Sequence, residues 1–152
     1  MVKKMKEKLL ISACLVGKNV KYNGKNNKID AIDELEKYFE FVLICPEVDG
    51  GLPTPRLPSE RVKEKVLSIE GKDVTKEYLL GKDKAIELVK KYNIKYALLK
   101  EKSPSCGKLT YDGTFSHNLI NRPGVTVEAL FNIGVTVYGE SEIEMLLKSF
   151  RN

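Results

Sequence analysis

The chain has 152 residues, 42% hydrophobic and 31% charged, with no tryptophan and a formal net charge of +5 from 26 basic and 21 acidic side chains. That length suits a single domain over residues 1–152 with a substantial core. No apolar run approaches the roughly 18 residues of a membrane span, so no transmembrane helix is expected. The basic surplus reads first as a lysine-rich solvated surface, and second as attraction for anionic small molecules or nucleic acid. Met1–Lys8 is basic and Ile11-Ser12-Ala13-Cys14 resembles a lipoprotein cleavage site. The apolar stretch before Cys14 is nevertheless shorter than the roughly 7–15 residues a signal sequence needs, so a cytoplasmic location is expected.

In chain order, Lys8–Ala13 (KLLISA) reads as a buried strand, Ala31–Phe39 as a short helix, and Phe41–Cys45 (FVLIC) as a second buried strand. Val66–Glu70 is a weaker strand. Asp73–Asn93 has helical spacing with a possible break near Gly81, and Tyr96–Lys100 is the next strand. Pro123–Asn132 reads as a helix with Pro123 in its first turn and Gly134 as its stop. Val135–Tyr138 gives a last strand, and Ser141–Phe150 a closing helix with Glu144 and Lys148 at i, i+4 spacing. Continuous apolar runs alternating with helices predict a Rossmann-like, doubly wound α/β domain with a mainly parallel sheet. Three long polar stretches, Gly17–Asp30, Pro46–Arg61 and Ser103–Arg122, read as functional loops.

Cys14, Cys45 and Cys106 each follow the carboxyl end of an apolar run. In open parallel sheets ligands bind beyond those ends, so three sequence-distant thiols are expected to converge. The plainer alternative is three buried small hydrophobes. In a cytoplasmic protein cysteines more often bind metal or do chemistry than form disulfides, and an odd number would strand one thiol. No CxxC pair, GxxxxGK[ST] loop or GxGxxG turn is present. The position six residues after each cysteine holds Val20, Gly51 or Asp112, never the arginine of a cysteine phosphatase. His117, the one histidine, reads as a surface residue.

Two segments suggest chemistry. Ser103-Pro104-Ser105-Cys106-Gly107 sets hydroxyls and backbone N–H groups beside a thiolate, where they would stabilise the negative charge of a cluster. Cys45-Pro46-Glu47-Val48-Asp49-Gly50-Gly51 sets a carboxylate two residues past another thiolate, supplying a general base beside a metal-bound reactant.

With these, ACLVGKNVKYNG, CPEVDGGLPTPRLPSE, IEGKDVT, LLKEKSPSCG and YDGTFSHNLI…PGVTVEALFNIGVTVYGE together resemble the thiouracil desulfidase family, in order from about Leu9 to Glu142. The resemblance implies a Rossmann-like domain with a 4Fe–4S cluster on Cys14, Cys45 and Cys106 and one iron lacking a protein ligand. It further implies Glu47 and Ser103 as catalytic acid and hydroxyl. Lys21 and Asn23 stand where the family pattern leads one to expect arginine and aspartate, and His117-Asn118 replaces a smaller pair.

The function expected is redox-neutral desulfuration of a thiolated pyrimidine, a small-molecule base or nucleotide, with no membrane partner and no stable nucleic-acid partner. The alternatives are a sulfur-transfer protein of transfer-RNA thiolation and a non-catalytic metal or nucleic-acid module. Gly50, Gly51, Arg56, Lys102, Ser105 and Asn118 are the candidate substrate-binding residues. Close backbone approach at the glycines and the arginine fork would suit a phosphate, with Lys108 nearby.

Overall fold

A computed structural model of the chain describes residues 6–151; Met1–Met5, most of the basic N-terminal segment, and Asn152 lie outside the described residues. The elements run β1 (Glu7–Ser12), a 3-10 turn (Ala13–Val16), α1 (Ile32–Glu36), β2 (Phe39–Ile44), α2 (Pro46–Asp49), β3 (Ser59–Val62), β4 (Lys65–Ser68) and α3 (Thr75–Tyr92). There follow β5 (Tyr96–Leu99), β6 (Thr110–Tyr111), β7 (Leu119–Ile120), α4 (Val125–Asn132), β8 (Thr136–Gly139), a second 3-10 turn (Glu140–Glu142) and α5 (Ile143–Lys148).

Four strands form one parallel sheet in the order β2-β1-β5-β8. Its continuous apolar runs reflect burial on both faces. Leu9, Leu10 and Ile11 are each 0% exposed. Leu10 joins Ala97, Leu99 and Val137 beneath α3 and α4, through Ala85, Val89, Val127 and Leu130. Leu9 and Ile11 join Leu98 and Phe39 beneath α1 and α5, through Ile32, Leu35, Leu146 and Leu147. The fold is therefore doubly wound. The chain moves to one side of β1 to form β2 and to the other to form β5, so the order reverses at the β1/β5 junction, where ligands collect beyond the carboxyl ends. Among the described residues no helix is long and apolar enough to cross a membrane.

Several local expectations shift. The first helix is shorter than Ala31–Phe39, because Phe39 opens β2 instead; its ring packs edge-on against Phe150 at 4.6 Å and Tyr96 at 6.3 Å. The strand read at Val66–Glu70 is β4, which pairs antiparallel with β3 in a separate hairpin. β6 and β7 make a second small hairpin inside the stretch read as a loop, Ser103–Arg122. Pro46–Arg61 likewise contains one helical turn and the start of β3. Gly124 is the N-cap of α4, so Pro123 precedes the helix rather than occupying its first turn. Glu144 pairs with Arg151 at 2.8 Å, not with Lys148.

The most informative difference is at Gly81. α3 runs unbroken through it. A Cβ there would overlap the Pro46 carbonyl, and one at Gly50 would overlap the Glu77 carbonyl. The two glycines let α2 and α3 meet backbone against backbone, so Gly81 is a contact point and not a helix break. Alanine in mid-helix ordinarily gains up to about 1 kcal/mol over glycine. Here the overlap is with backbone that cannot swing aside. Gly81→Ala is expected to lower stability by about 1–3 kcal/mol, the usual range for overpacking, in denaturant melts. An unchanged or raised midpoint would contradict the contact.

Candidate active site

Cys14, Cys45 and Cys106 line one cavity of about 410 Å³ at the carboxyl ends of β1, β2 and β5. Cys14 lies in the 3-10 turn directly after β1, and its carbonyl accepts hydrogen bonds from Gly17 N (3.2 Å) and Asn27 N (2.9 Å). Cys45 is the N-cap of α2, and its N–H donates to Asp49 Oδ2 at 3.1 Å. Pro46 holds the first helical position, where a missing N–H costs nothing.

Cys106 sits in a turn built by Ser103, whose Oγ accepts from both Ser105 N and Cys106 N at 3.1 Å. Carbonyls of the same turn receive the first free N–H groups of α4. Val125 N donates to Pro104 O at 2.9 Å, and Thr126 N to Ser105 O at 2.9 Å. The helix start and the cysteine turn thus satisfy each other.

All three thiols are free. Burial is the main cause that pushes each of them above the ordinary thiol range. The shift is largest at Cys106, where the negative charges of Cys45, Glu47 and Cys14 add to burial. Three such groups become thiolates together only with positive charge among them, which suits thiolate-ligated metal. Among the described residues no three His, Cys, Asp or Glu side chains come close enough for a single ion.

Glu47 also faces the cavity. Its Oε1 accepts from Tyr78 Oη at 2.6 Å and from Arg56 Nε at 3.3 Å. Arg56 is only 6% exposed and its other nitrogens are engaged: Nη2 with Val20 O (2.8 Å), Nη1 with Pro53 O (3.3 Å) and Thr54 Oγ1 (3.0 Å). The guanidinium thus braces two loops and is not free to fork onto a phosphate.

Other candidates are placed as follows. Ser103 and Lys102 line the cavity, Lys102 exposed and with φ of 68°. His117 is exposed as expected, yet it belongs to the cavity wall, stacked on Tyr111 with centroids 5.0 Å apart. Gly50, Gly51, Ser105 and Asn118 are not brought to the wall. Gly50 is pressed against α3, Ser105 is fully buried, and Asn118 accepts Asp112 N at 2.9 Å within the β6–β7 hairpin. Lys108 pairs with Glu142 at 3.0 Å.

Sequence reasoning missed Tyr78, Tyr22, Tyr111, Phe115 and the buried Glu60. Glu60 Oε1 accepts Gly113 N (3.0 Å) and Phe115 N (3.1 Å), fixing the hairpin over the cavity. The available signal was the spacing Tyr78, Gly81, Ala85, Val89, which marks the buried face of α3.

A family model described as 2-thiouracil desulfurase matches residues 9–142. This chain belongs to that family. An uncharacterized protein of Bacillus subtilis (strain 168), YbbK, is 36% identical over 150 residues, covering 91% of this chain and 99% of the relative. The solved structure of TudS, described as a [4Fe-4S]-dependent thiouracil desulfidase, superposes with a TM-score of 0.88 at 40% identity. It covers 95% of this chain and 98% of that one. Membership in the 2-thiouracil desulfurase family does not favour a sulfur-transfer protein or a non-catalytic module.

Ser105 offers a direct check on its placement. Its Oγ lies 2.7 Å from Thr126 Oγ1, both side chains buried. Ser105→Ala should therefore lower stability by about 1–3 kcal/mol, the cost of a stranded buried hydroxyl, while KM stays within about twofold. A raised KM at unchanged stability would return Ser105 to the substrate.

Proposed function

We propose that the protein hydrolyses a thiolated pyrimidine, exchanging the thiocarbonyl sulfur for oxygen, at a 4Fe–4S cluster held by Cys14, Cys45 and Cys106. The observation that carries the reading is three thiols, two buried and Cys45 half-buried, with the Glu47 carboxylate beside Cys45 on the wall of a single cavity, in a chain 40% identical to a [4Fe-4S]-dependent thiouracil desulfidase. The balance is redox-neutral: the thione and water give the oxo base and hydrogen sulfide. When bound, the cluster supplies a Lewis-acidic iron without a protein ligand, to polarise the thione.

The chain's own groups supply the rest. Glu47 accepts the proton of the attacking water, being the cavity-lining carboxylate beside Cys45. Ser103 Oγ accepts two backbone N–H groups and retains its own proton, which it can donate to the ring. A reducing compartment, the cytoplasm, suits thiols that must stay unoxidised.

The test is anaerobic purification with iron and sulfide analysis, followed by turnover of 2-thiouracil and 4-thiouracil. Alanine at any of the three cysteines should abolish iron retention and activity together. Glu47→Gln should keep the iron and sulfide content and lose about 100-fold or more in turnover, the scale for removing a general base. A variant retaining full cluster would leave the ligand set, and near-parental turnover in Glu47→Gln would remove Glu47 from the chemistry.

The substrate carries, in this reading, a 5′-phosphate. Lys21 and Lys102 belong to the cavity wall, and with Arg56 engaged they are the lysines placed to meet an anion there. Thiouridine monophosphate is expected to exceed the free thiobase in kcat/KM by at least about tenfold, or 1.4 kcal/mol. Lys102→Ala should remove most of that advantage and spare the free base. Equal efficiency for base and nucleotide in the parent enzyme would refute the phosphate.

A further inference from the structure

The hydrogen bond between Tyr78 and Glu47 joins the site to a helix none of whose residues lines the cavity. Tyr78 lies on α3 three positions before Gly81, on the helix's buried face, and is 0% exposed. Close approach at Gly81 sets the height of α2 on α3, which brings the phenol to Glu47 Oε1 at 2.6 Å. Arg56 Nε reaches the same oxygen at 3.3 Å. Among the described residues Glu47 Oε2 accepts no hydrogen bond, so the two oxygens of one carboxylate stand in unlike surroundings.

Burial, followed by the charge of Glu47 and the hydrogen bond to it, pushes the Tyr78 phenol well above its ordinary range. It therefore stays protonated, and a donor, at any working pH. A carboxylate with one anchored oxygen cannot exchange its two oxygens by rotating about its last bond. Such restriction matters because displacing a reacting group by about 1 Å can cost about 100-fold in rate.

We propose that Tyr78 is a positioning residue for desulfuration: by locking Oε1 it presents Oε2 of Glu47 as the atom that takes the proton from water. The inference rests on the reading of Glu47 as the base. Arg56 shares the anchor, so losing the phenol loosens the carboxylate without releasing it.

Tyr78→Phe keeps the ring in the core and removes the hydroxyl alone. The experiment is a double-mutant cycle with Glu47→Ala, each protein cluster-loaded and rates normalised to iron content. In the parent background, Tyr78→Phe is expected to lower kcat by about tenfold or more, with KM within twofold and unchanged iron and sulfide. In the Glu47→Ala background, which has no carboxylate to position, the same change should move the residual rate by less than about twofold.

Equal losses in both backgrounds would mean that Tyr78 acts through the scaffold, and would overturn the proposal while leaving Glu47 as the base. Parental kcat in Tyr78→Phe would overturn it likewise, as would loss of the cluster in that variant. Near-parental turnover in Glu47→Ala is the one result that defeats the base assignment itself, and the positioning role falls with it.

Discussion

The contact of α2 with α3 is the constraint on which the site's geometry hangs. A single helical turn has no stability of its own, since nucleation costs more than one turn of hydrogen bonds returns. α2 persists because Pro46 presets its first residue, Asp49 caps Cys45, and the Gly50 and Gly81 backbones seat it on α3. α3 in turn is fixed to the sheet by Ala85 and Val89. A sulfur and a carboxylate two residues apart thereby inherit the rigidity of an 18-residue helix packed on the core. The same face of that helix carries Tyr78, so the anchor for Glu47 and the seat for Cys45 move together or not at all.

Charge gives the second level of order. The cavity gathers three thiols and three carboxylates, Glu47, Glu60 and Glu101, and each charge near its floor has a partner from the protein. Arg56 meets Glu47, Lys100 meets Glu140 at 2.8 Å, and Glu60 takes two backbone N–H groups. Unpaired, any of these would cost several kcal/mol in partly buried surroundings. Because Arg56 Nη2 also donates to Val20 O and its N–H to Tyr22 O (2.7 Å), the ion pair ties the Gly17–Asp30 loop to the proline-rich loop. An arginine that looks like a phosphate fork in the sequence is, in the fold, a buried brace.

The sheet and its covering helices were legible in the sequence because their signal is local. Leu9-Leu10-Ile11 and Ala97-Leu98-Leu99 are unbroken apolar runs, and burial on both faces is the physical reason. The convergence of the cysteines was legible for a related reason, since strand ends are marked by where such runs stop. What failed was whatever depends on a distant partner. Gly81 looked like a helix break because Pro46, which needs the space, is far away in sequence. Leu79 and Leu80 are apolar and yet 45% and 46% exposed, whereas the buried positions are Tyr78, Gly81, Ala85 and Val89. Ser105 looked available beside Cys106, but the cysteine turn docks on α4 and gives its hydroxyl to Thr126. The hydroxyl of Tyr78 and the carboxylate of Glu60 carry no periodic pattern at all. Their meaning exists only once α2 and the β6–β7 hairpin are in place.

The cavity divides into a floor and a mouth held by different means. Strand ends, α2 and the Ser103–Gly107 turn make the floor, tied to the core by backbone hydrogen bonds. The mouth comes from the Gly17–Asp30 loop and the β6–β7 hairpin, where Phe115 and His117 hold positive φ values of 59° and 61°. Such conformations are uncommon outside glycine and persist where surroundings enforce them. Here Glu60 grips the Phe115 N–H, and Tyr111 stacks on the His117 ring. Lys21 and His117, which line the cavity, both belong to these mouth segments. Exchanging a side chain there alters what meets the far end of a substrate without disturbing the carbonyl and carboxylate bonds that set the sulfurs. Side chains at the mouth can therefore be exchanged while the floor stays fixed.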